Sequence, residues 1–237
     1  MKIRTNLYQQ PVGTPLPDWR ACAKPSRHII QGCYCHLKPL NADLHADDLY
    51  AAYALSPDDR DWTYLPIGPF HGASDYRNHA KGIESDVDCL HFAVVDQRSG
   101  RAVGTLALIR MDPANGVIEI GFVVFSPLLR RTPGSTEAHY LLMKYLFDGL
   151  GYRRLEWKCD SLNEPSRLAA QRLGFRFEGI FRQAVVYKGR NRDTAWFSIL
   201  DCEWPSLRAA FERWLAPDNF DAHGVQRSSL AQVRATI

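Results

Sequence analysis

The spacing of apolar positions changes several times along the chain, and each change marks an element. His91–Val95, Ala102–Arg110 and Val117–Phe125 are apolar runs parted by the turns Asp96-Gln-Arg-Ser-Gly100 and Asp112-Pro-Ala-Asn-Gly116, which predicts a three-strand meander. Ala138, Leu141, Leu142, Tyr145, Leu146 and Gly149 then recur at helical spacing, so 135–149 reads as a helix with one packed stripe. A strand follows at Arg154–Cys159. It is reached through a helix, so it lies parallel to Val117–Phe125 by a right-handed crossover. Glu164–Leu173 is a helix stopped by Gly174. Strands at about 176–187 and 193–200 and a helix over Trp204–Leu215 complete this half.

The first half is less regular. Residues 32–38 read as a strand. Asn41 caps a helix to about Ala54, with Leu44, Leu49, Tyr53 and Leu55 as its apolar side. A loop stiffened by Pro66 and Pro69 leads to a short helix over about 74–83. The order predicts an α/β (α+β) domain, residues 32–216, with a mixed, mostly antiparallel sheet and one central parallel pair. Residues 1–31 carry four prolines and read as an extended arm laid on that domain. Residues 217–237 read as a polar tail.

Composition narrows the function classes. The 237 residues carry a formal net charge of +3 without a basic block, which argues against nucleic acid as a partner. No run approaches a membrane span, and there is no apolar leader, so a cytoplasmic protein with reduced thiols is expected. The six cysteines form no C-x-x-C pair, and no metal site is expected from them.

One turn carries chemistry. Arg130-Arg131-Thr132-Pro133-Gly134-Ser135-Thr136 joins a strand to a helix. The first N–H groups of a helix lack internal partners and carry partial positive charge, so they receive an anion well. Gly134 allows close approach, Pro133 presets the first turn, Ser135 and Thr136 can cap or donate, and Arg130 and Arg131 add charge. A capped helix with surface arginines is the plain alternative.

Phe125-Ser-Pro, this turn, Thr136-Glu-Ala138, Leu150-Gly151-Tyr152-Arg153-Arg154, Asn163-x-x-Ser166 and Leu173-Gly174-Phe175-x-x-Glu178-Gly179 together resemble the GNAT acetyltransferases over about residues 32–200. The RimJ/RimL-type branch is the most similar group. The turn departs from the family pattern: in one alignment Pro133 stands where its first glycine belongs, and shifted by one Gly134 takes that place and Thr136 the last position. The resemblance implies that the strands Val117–Phe125 and Arg154–Cys159 splay apart. It also implies that acetyl-CoA lies between them, its pantetheine amides on the backbone of Phe122, Val123, Val124 and Phe125. Its pyrophosphate would rest on the turn, its arm on Asn163, and its sulfur near Ser166.

The implied reaction is direct transfer of acetyl to a primary amine in a ternary complex. The acceptor is a small molecule, a modified amino acid or a protein N-terminus. Direct attack on a thioester needs a base for the amine and an acid for the leaving thiolate, without a metal. Glu119, flanked by Ile118 and Ile120, faces away from them and is the candidate base; a simple ion pair is the plain alternative. Ser166 is the candidate acid by resemblance and Tyr187 its rival. Trp62, Tyr64 and Phe70 lie in a rigid aromatic loop suited to an acceptor slot, with Arg182 and Trp196 on its far side; a satellite core under the loop is the plain alternative. A homodimer fits the branch. The alternative function is a non-catalytic acyl-CoA-binding or regulatory module.

Overall fold

A computed structural model describes residues 4–237. In chain order it comprises β1 (Arg4–Thr5), β2 (Pro11–Val12), β3 (Ile30–Gln31), β4 (Cys35–Pro39), α1 (Ala42–Tyr53), α2 (Ala73–Glu84), β5 (Leu90–Asp96), β6 (Ala102–Asp112), β7 (Val117–Phe125) and α3 (Pro133–Lys144). β8 (Arg154–Asp160), α4 (Glu164–Leu173), β9 (Arg176–Tyr187), β10 (Arg190–Leu200), α5 (Trp204–Leu215) and α6 (Leu230–Arg234) follow. A 3-10 turn at Asp59–Trp62 lies between α1 and α2. β1 and β2 pair with each other, and the other strands form one sheet in the order β3-β4-β5-β6-β7-β8-β10-β9. Within it β7 and β8 run parallel and the remaining neighbours antiparallel.

Each sheet face buries a cluster. Ile118, Ile120, Leu155, Trp157, Phe197 and Ile199 pack with Leu142, Leu146, Phe211 and Trp214 from α3, its last turn and α5. Ala93, Val95 and Val124 pack on the other face with Leu49, Tyr53, Trp62, Tyr76 and Ala80. Strict alternation would put Val124 on the face of Ile118 and Ile120. It does not, because β7 carries one extra residue against β6. Thr105 pairs with Val124 but Ala107 with Gly121, and Phe122 adopts a φ of 48°. One inserted residue reverses the inside and outside of the rest of the strand.

Three expectations about elements change. On α1, Leu44 is 74% exposed and Leu55, beyond the helix, is also exposed. The buried side is Ala42, His45, Ala46, Leu49, Ala52 and Tyr53, because alanines let this helix approach closely where counting large apolar residues misses them. The strand expected from residue 32 begins at Cys35, because the N–H groups of Cys33, Tyr34 and Cys35 all donate to the Glu137 carboxylate on α3, at 2.6–2.8 Å. The helix expected from 135 begins at Pro133, with Thr132 as its cap. Its last turn, Tyr145–Gly149, widens to an i→i+5 pattern.

The segment before β3 runs along the sheet end. Trp19 Nε1 donates to Ala114 O, Cys22 N to Pro113 O and Arg27 to the carbonyls of Glu84 and Leu40. At the other terminus Leu230 and Val233 of α6 are buried beside α5. Among the described residues no helix is long and apolar enough to cross a membrane.

Candidate active site

The site begins where β7 and β8 part. Their parallel ladder covers Val117 with Arg154, Ile118 with Leu155 and Glu119 with Glu156, and then stops. The β7 edge from Gly121 to Phe125 therefore faces a gap, and its backbone groups on that side lack a strand partner. Buried main-chain groups need partners. A ligand with amides along its length would supply them. His139 of α3 sits behind this gap, its ring 5.3 Å from Phe125 on β7 and 5.4 Å from Trp157 on β8. Its Nδ1 pairs with Ser135 O at 2.9 Å, which requires a proton on Nδ1, and burial lowers its pKa to about 4. The ring is thus neutral with a bare acceptor at Nε2, and that atom has no partner among the described residues.

At one end of the gap stands the turn into α3. Thr132 Oγ1 donates to Leu129 O at 2.7 Å, and Ser135 Oγ donates to Thr132 O at 2.7 Å. These bonds fix the turn, and Arg131 takes a φ of 62° within it. Gly134 has its nearest prospective Cβ neighbour at 3.4 Å, so no protein atom requires a glycine there. Thr136 points inward and accepts from Arg172 at 2.9 Å. Arg130 is held by Asp61, at 2.7 and 2.6 Å, and also donates to Ser56. Arg131 is exposed and makes no ion pair among the described residues.

α4 and the end of β8 form the opposite wall. Asn163 caps α4 by accepting from Ser166 N at 3.2 Å. Ser166 Oγ accepts from Trp157 Nε1 at 3.0 Å; an indole only donates, so the hydroxyl hydrogen stays available. Tyr187 OH donates to Asp160 at 2.7 Å, and burial with that carboxylate pushes its pKa up to about 12.

Glu119 lies on the last paired rung, 3% exposed. Its Oε2 meets Arg110 at 2.7 Å and Lys158 at 2.9 Å. Lys158 also pairs with Glu156 at 2.7 Å and sits 3.8 Å from the centre of the Trp196 ring. Glu119 Oε1 has no such partner and lies toward Gly121, where the strands open. The carboxylate thus has one oxygen fixed by cations and one, on the Gly121 side, free of them among the described residues.

Behind the bulge, on the α1/α2 face, is a cavity of about 130 Å³ lined by Tyr53, Trp62, Tyr76, His91, Phe122 and Val124 among others. Tyr53 OH bonds with Thr105 Oγ1 and donates to Val124 O. Trp62 is clamped edge-on by Tyr53 and Phe70 at 5.5 and 5.3 Å. Gly68 lies flat against its indole, where a Cβ would come within 2.6 Å. The β9–β10 turn fastens the loop from outside: Lys188 donates to Trp62 O and Arg190 to Thr63 O.

Of the acceptor-side residues read from sequence, Trp62 lines this cavity and Phe70 braces it, while Tyr64 does not reach it. Arg182 and Trp196 sit apart on β9 and β10, with Trp196 stacked under Phe181 at 4.5 Å. Sequence reading missed Tyr53, Tyr76, His79, His139 and Lys158. Only Lys158 had a usable signal: it alternates with Glu156 and Asp160 on one strand face.

Residues 35–176 match the acetyltransferase (GNAT) domain family. A GCN5-related N-acetyltransferase from Brucella melitensis superposes with a TM-score of 0.91 at 50% identity, covering 93% of this chain and 100% of its own. The uncharacterized N-acetyltransferase p20 of Bacillus licheniformis is 30% identical over 147 residues, 60% of this chain and 80% of its own. An acetyltransferase from Salmonella typhimurium that modifies the N-terminal serine of ribosomal protein L7/L12 shares the fold, with a TM-score of 0.60 at 20% identity, covering 73% of this chain and 99% of its own. With its open parallel strand pair and capped α3 turn, the chain belongs to the GNAT family and is an N-acetyltransferase.

Proposed function

We propose that the protein moves acetyl from acetyl-CoA to a small primary amine whose apolar body enters the cavity behind Phe122. The observation that carries this reading is the halted β7–β8 ladder, open on one side to the α3 turn and bordered on the other face by an aromatic cavity. The residues fit the cosubstrate: an unpaired strand edge suits an amide-bearing arm, the orphaned His139 Nε2 is an acceptor beside it, and Arg131, without an ion pair among the described residues, is an exposed cation at the helix start. Acetyl-CoA, when bound, supplies an already activated thioester.

The chain's own residues then have three tasks. Tyr53, Trp62, Tyr76 and Phe122 exclude water and orient the amine. Glu119, through Oε1, takes the amine proton directly or through a water while Arg110 and Lys158 hold Oε2 in place. Ser166 returns a proton to the departing sulfur. It is favoured over Tyr187, because the Tyr187 proton is already committed to Asp160. Cavity size favours a small amine over a peptide, since about 130 Å³ holds one small side chain or alkyl group. The Salmonella fold relative keeps the peptide N-terminus as the second reading.

The test is thiol release from acetyl-CoA with a panel of aliphatic and arylalkyl amines beside peptides with free N-termini. Saturable turnover with small amines and none with peptides supports the reading. The reverse pattern replaces it with a peptide acceptor.

A further inference from the structure

At the α2 end of the cavity, three side chains of different ligand chemistry converge. Asp86 follows α2, Cys89 precedes β5 and His91 is the second residue of β5. A carboxylate oxygen, the thiol sulfur and an imidazole nitrogen lie within 4.8 Å of one another. A local turn holds the group: Asp86 Oδ1 accepts from the N–H of Asp88 at 2.8 Å and of Cys89 at 3.2 Å, leaving Oδ2 without a backbone donor, and the Cys89 thiol leans on the same carboxylate. All three residues line the cavity, as does His79 from α2. Neither imidazole has a hydrogen-bond partner among the described residues, and His91 offers a ring nitrogen to the group.

We propose that Asp86, Cys89 and His91 form a site for a thiophilic divalent cation of the Zn²⁺ class, with a fourth position facing the cavity and His79. Ligand atoms around one tetrahedral Zn²⁺ stand about 3.3–3.8 Å apart, so rotamer-scale shifts close the group around the ion. One sulfur, one nitrogen and one oxygen donor suit Zn²⁺ or Co²⁺; Mg²⁺ and Ca²⁺ ask for oxygen alone. Binding exchanges a proton for the metal: the Cys89 S–H bond breaks, the proton passes to solvent, and a sulfur–metal bond forms without redox change. The site borders the cavity that the proposed reading gives to the amine, and it links the loop after α2 to β5; the transfer itself asks for no metal. The charged groups facing it are Asp86 and Asp88 on the loop, Arg110 on β6 and, beyond His91, Arg27.

The experiment titrates the reduced full-length protein with Co²⁺ and then Zn²⁺, without acetyl-CoA or amine, so that its outcome is independent of the transfer reaction. The expected result is one equivalent of Co²⁺ with tetrahedral visible bands and a near-ultraviolet thiolate charge-transfer band, displaced by Zn²⁺. Cys89→Ser should abolish the charge-transfer band and weaken Zn²⁺ binding at least about tenfold. Asp86→Asn keeps the turn through Oδ1 and removes the free anionic oxygen, so it should weaken Zn²⁺ comparably and carries the test if Cys89→Ser does not fold. No saturable binding overturns the proposal. So does a charge-transfer band that survives Cys89→Ser, which would place the thiolate at exposed Cys33 or Cys202.

Discussion

The two ends of the cleft are made of different material. At the α3 end the groups offered to a ligand are mostly backbone: the β7 edge past Glu119 and the first N–H groups after Thr132. At the β5 end they are side chains, with Tyr53 from α1, Trp62 from the 3-10 turn, Tyr76 from α2, His91 from β5 and Phe122 from β7. A backbone site survives changes of side chain as long as the turn keeps its shape. A side-chain cavity depends on five separate elements meeting, and Tyr53, Trp62 and Tyr76 are also part of a core. Substitutions should therefore be costly and acceptor-specific at the β5 end, and cheaper and cofactor-specific at the α3 end.

The strongest test is Trp62→Ala. The indole is buried between Tyr53 and Phe70, so its loss should destabilise the protein by about 3–5 kcal/mol in urea unfolding. The KM for amine should rise while the KM for acetyl-CoA stays within about twofold. A rise confined to acetyl-CoA would break the division between the two ends.

His139 qualifies the contrast, because it brings one buried side chain to the backbone end. Its folded pKa is lowered to about 4 by burial, against about 6.5 when unfolded. Between those values the unfolded chain binds the proton and the folded chain does not. The contribution is fully present above about pH 6.5 and is lost as pH falls toward 4, on the order of 3 kcal/mol. His139→Gln should flatten that acid-side loss of stability in unfolding measured from pH 7 to 4. An unchanged slope would mean that His139 stays accessible to protons in the folded state.

How much could be read beforehand follows the same division. The α3 turn announces itself through Pro133, Gly134 and Ser135, and the parallel pair through a helical crossover between two apolar strands, because these are local patterns with a known period; that the pair parts was implied by the family resemblance alone. The cavity is assembled from positions up to 71 residues apart, as in the Tyr53 to Val124 hydrogen bond, and nothing local marks them. The bulge at Phe122 was hidden for another reason. The apolar run Val117–Phe125 reads the same with or without an inserted residue, although insertion decides which face Val124 joins. Glu137 looked like part of the family motif, yet it spends both oxygens on three backbone donors of the segment before β4.

Glu119 stands at the meeting point of the two ends, and Glu119→Gln asks whether its free oxygen is used. As the base, its loss should lower kcat about a hundredfold, and the acid limb of the pH–rate profile should disappear. Lys158→Met is the control, since it removes a cation from Oε2 and leaves Oε1. It should keep most of the parent rate. A Glu119→Gln enzyme with the parent rate and profile would reduce Glu119 to an ion-pair anchor.

The smallest effect separates the two arginines of the α3 turn. Arg131 is unpaired among the described residues, so Arg131→Ala should weaken CoA binding about three- to tenfold, more at low salt. Arg130 is bound in a fork by Asp61 and is 41% exposed, so Arg130→Ala should change CoA affinity less than about twofold and stability by at most about 1 kcal/mol. Asp61 is the neighbour of Trp62, so this pair ties the turn at one end to the aromatic loop at the other. If both substitutions weaken CoA equally, Arg130 must leave Asp61 when the pyrophosphate arrives. Arrival of the cosubstrate would then loosen the wall that holds Trp62, and Asp61→Asn should shift the amine KM without touching the cavity lining.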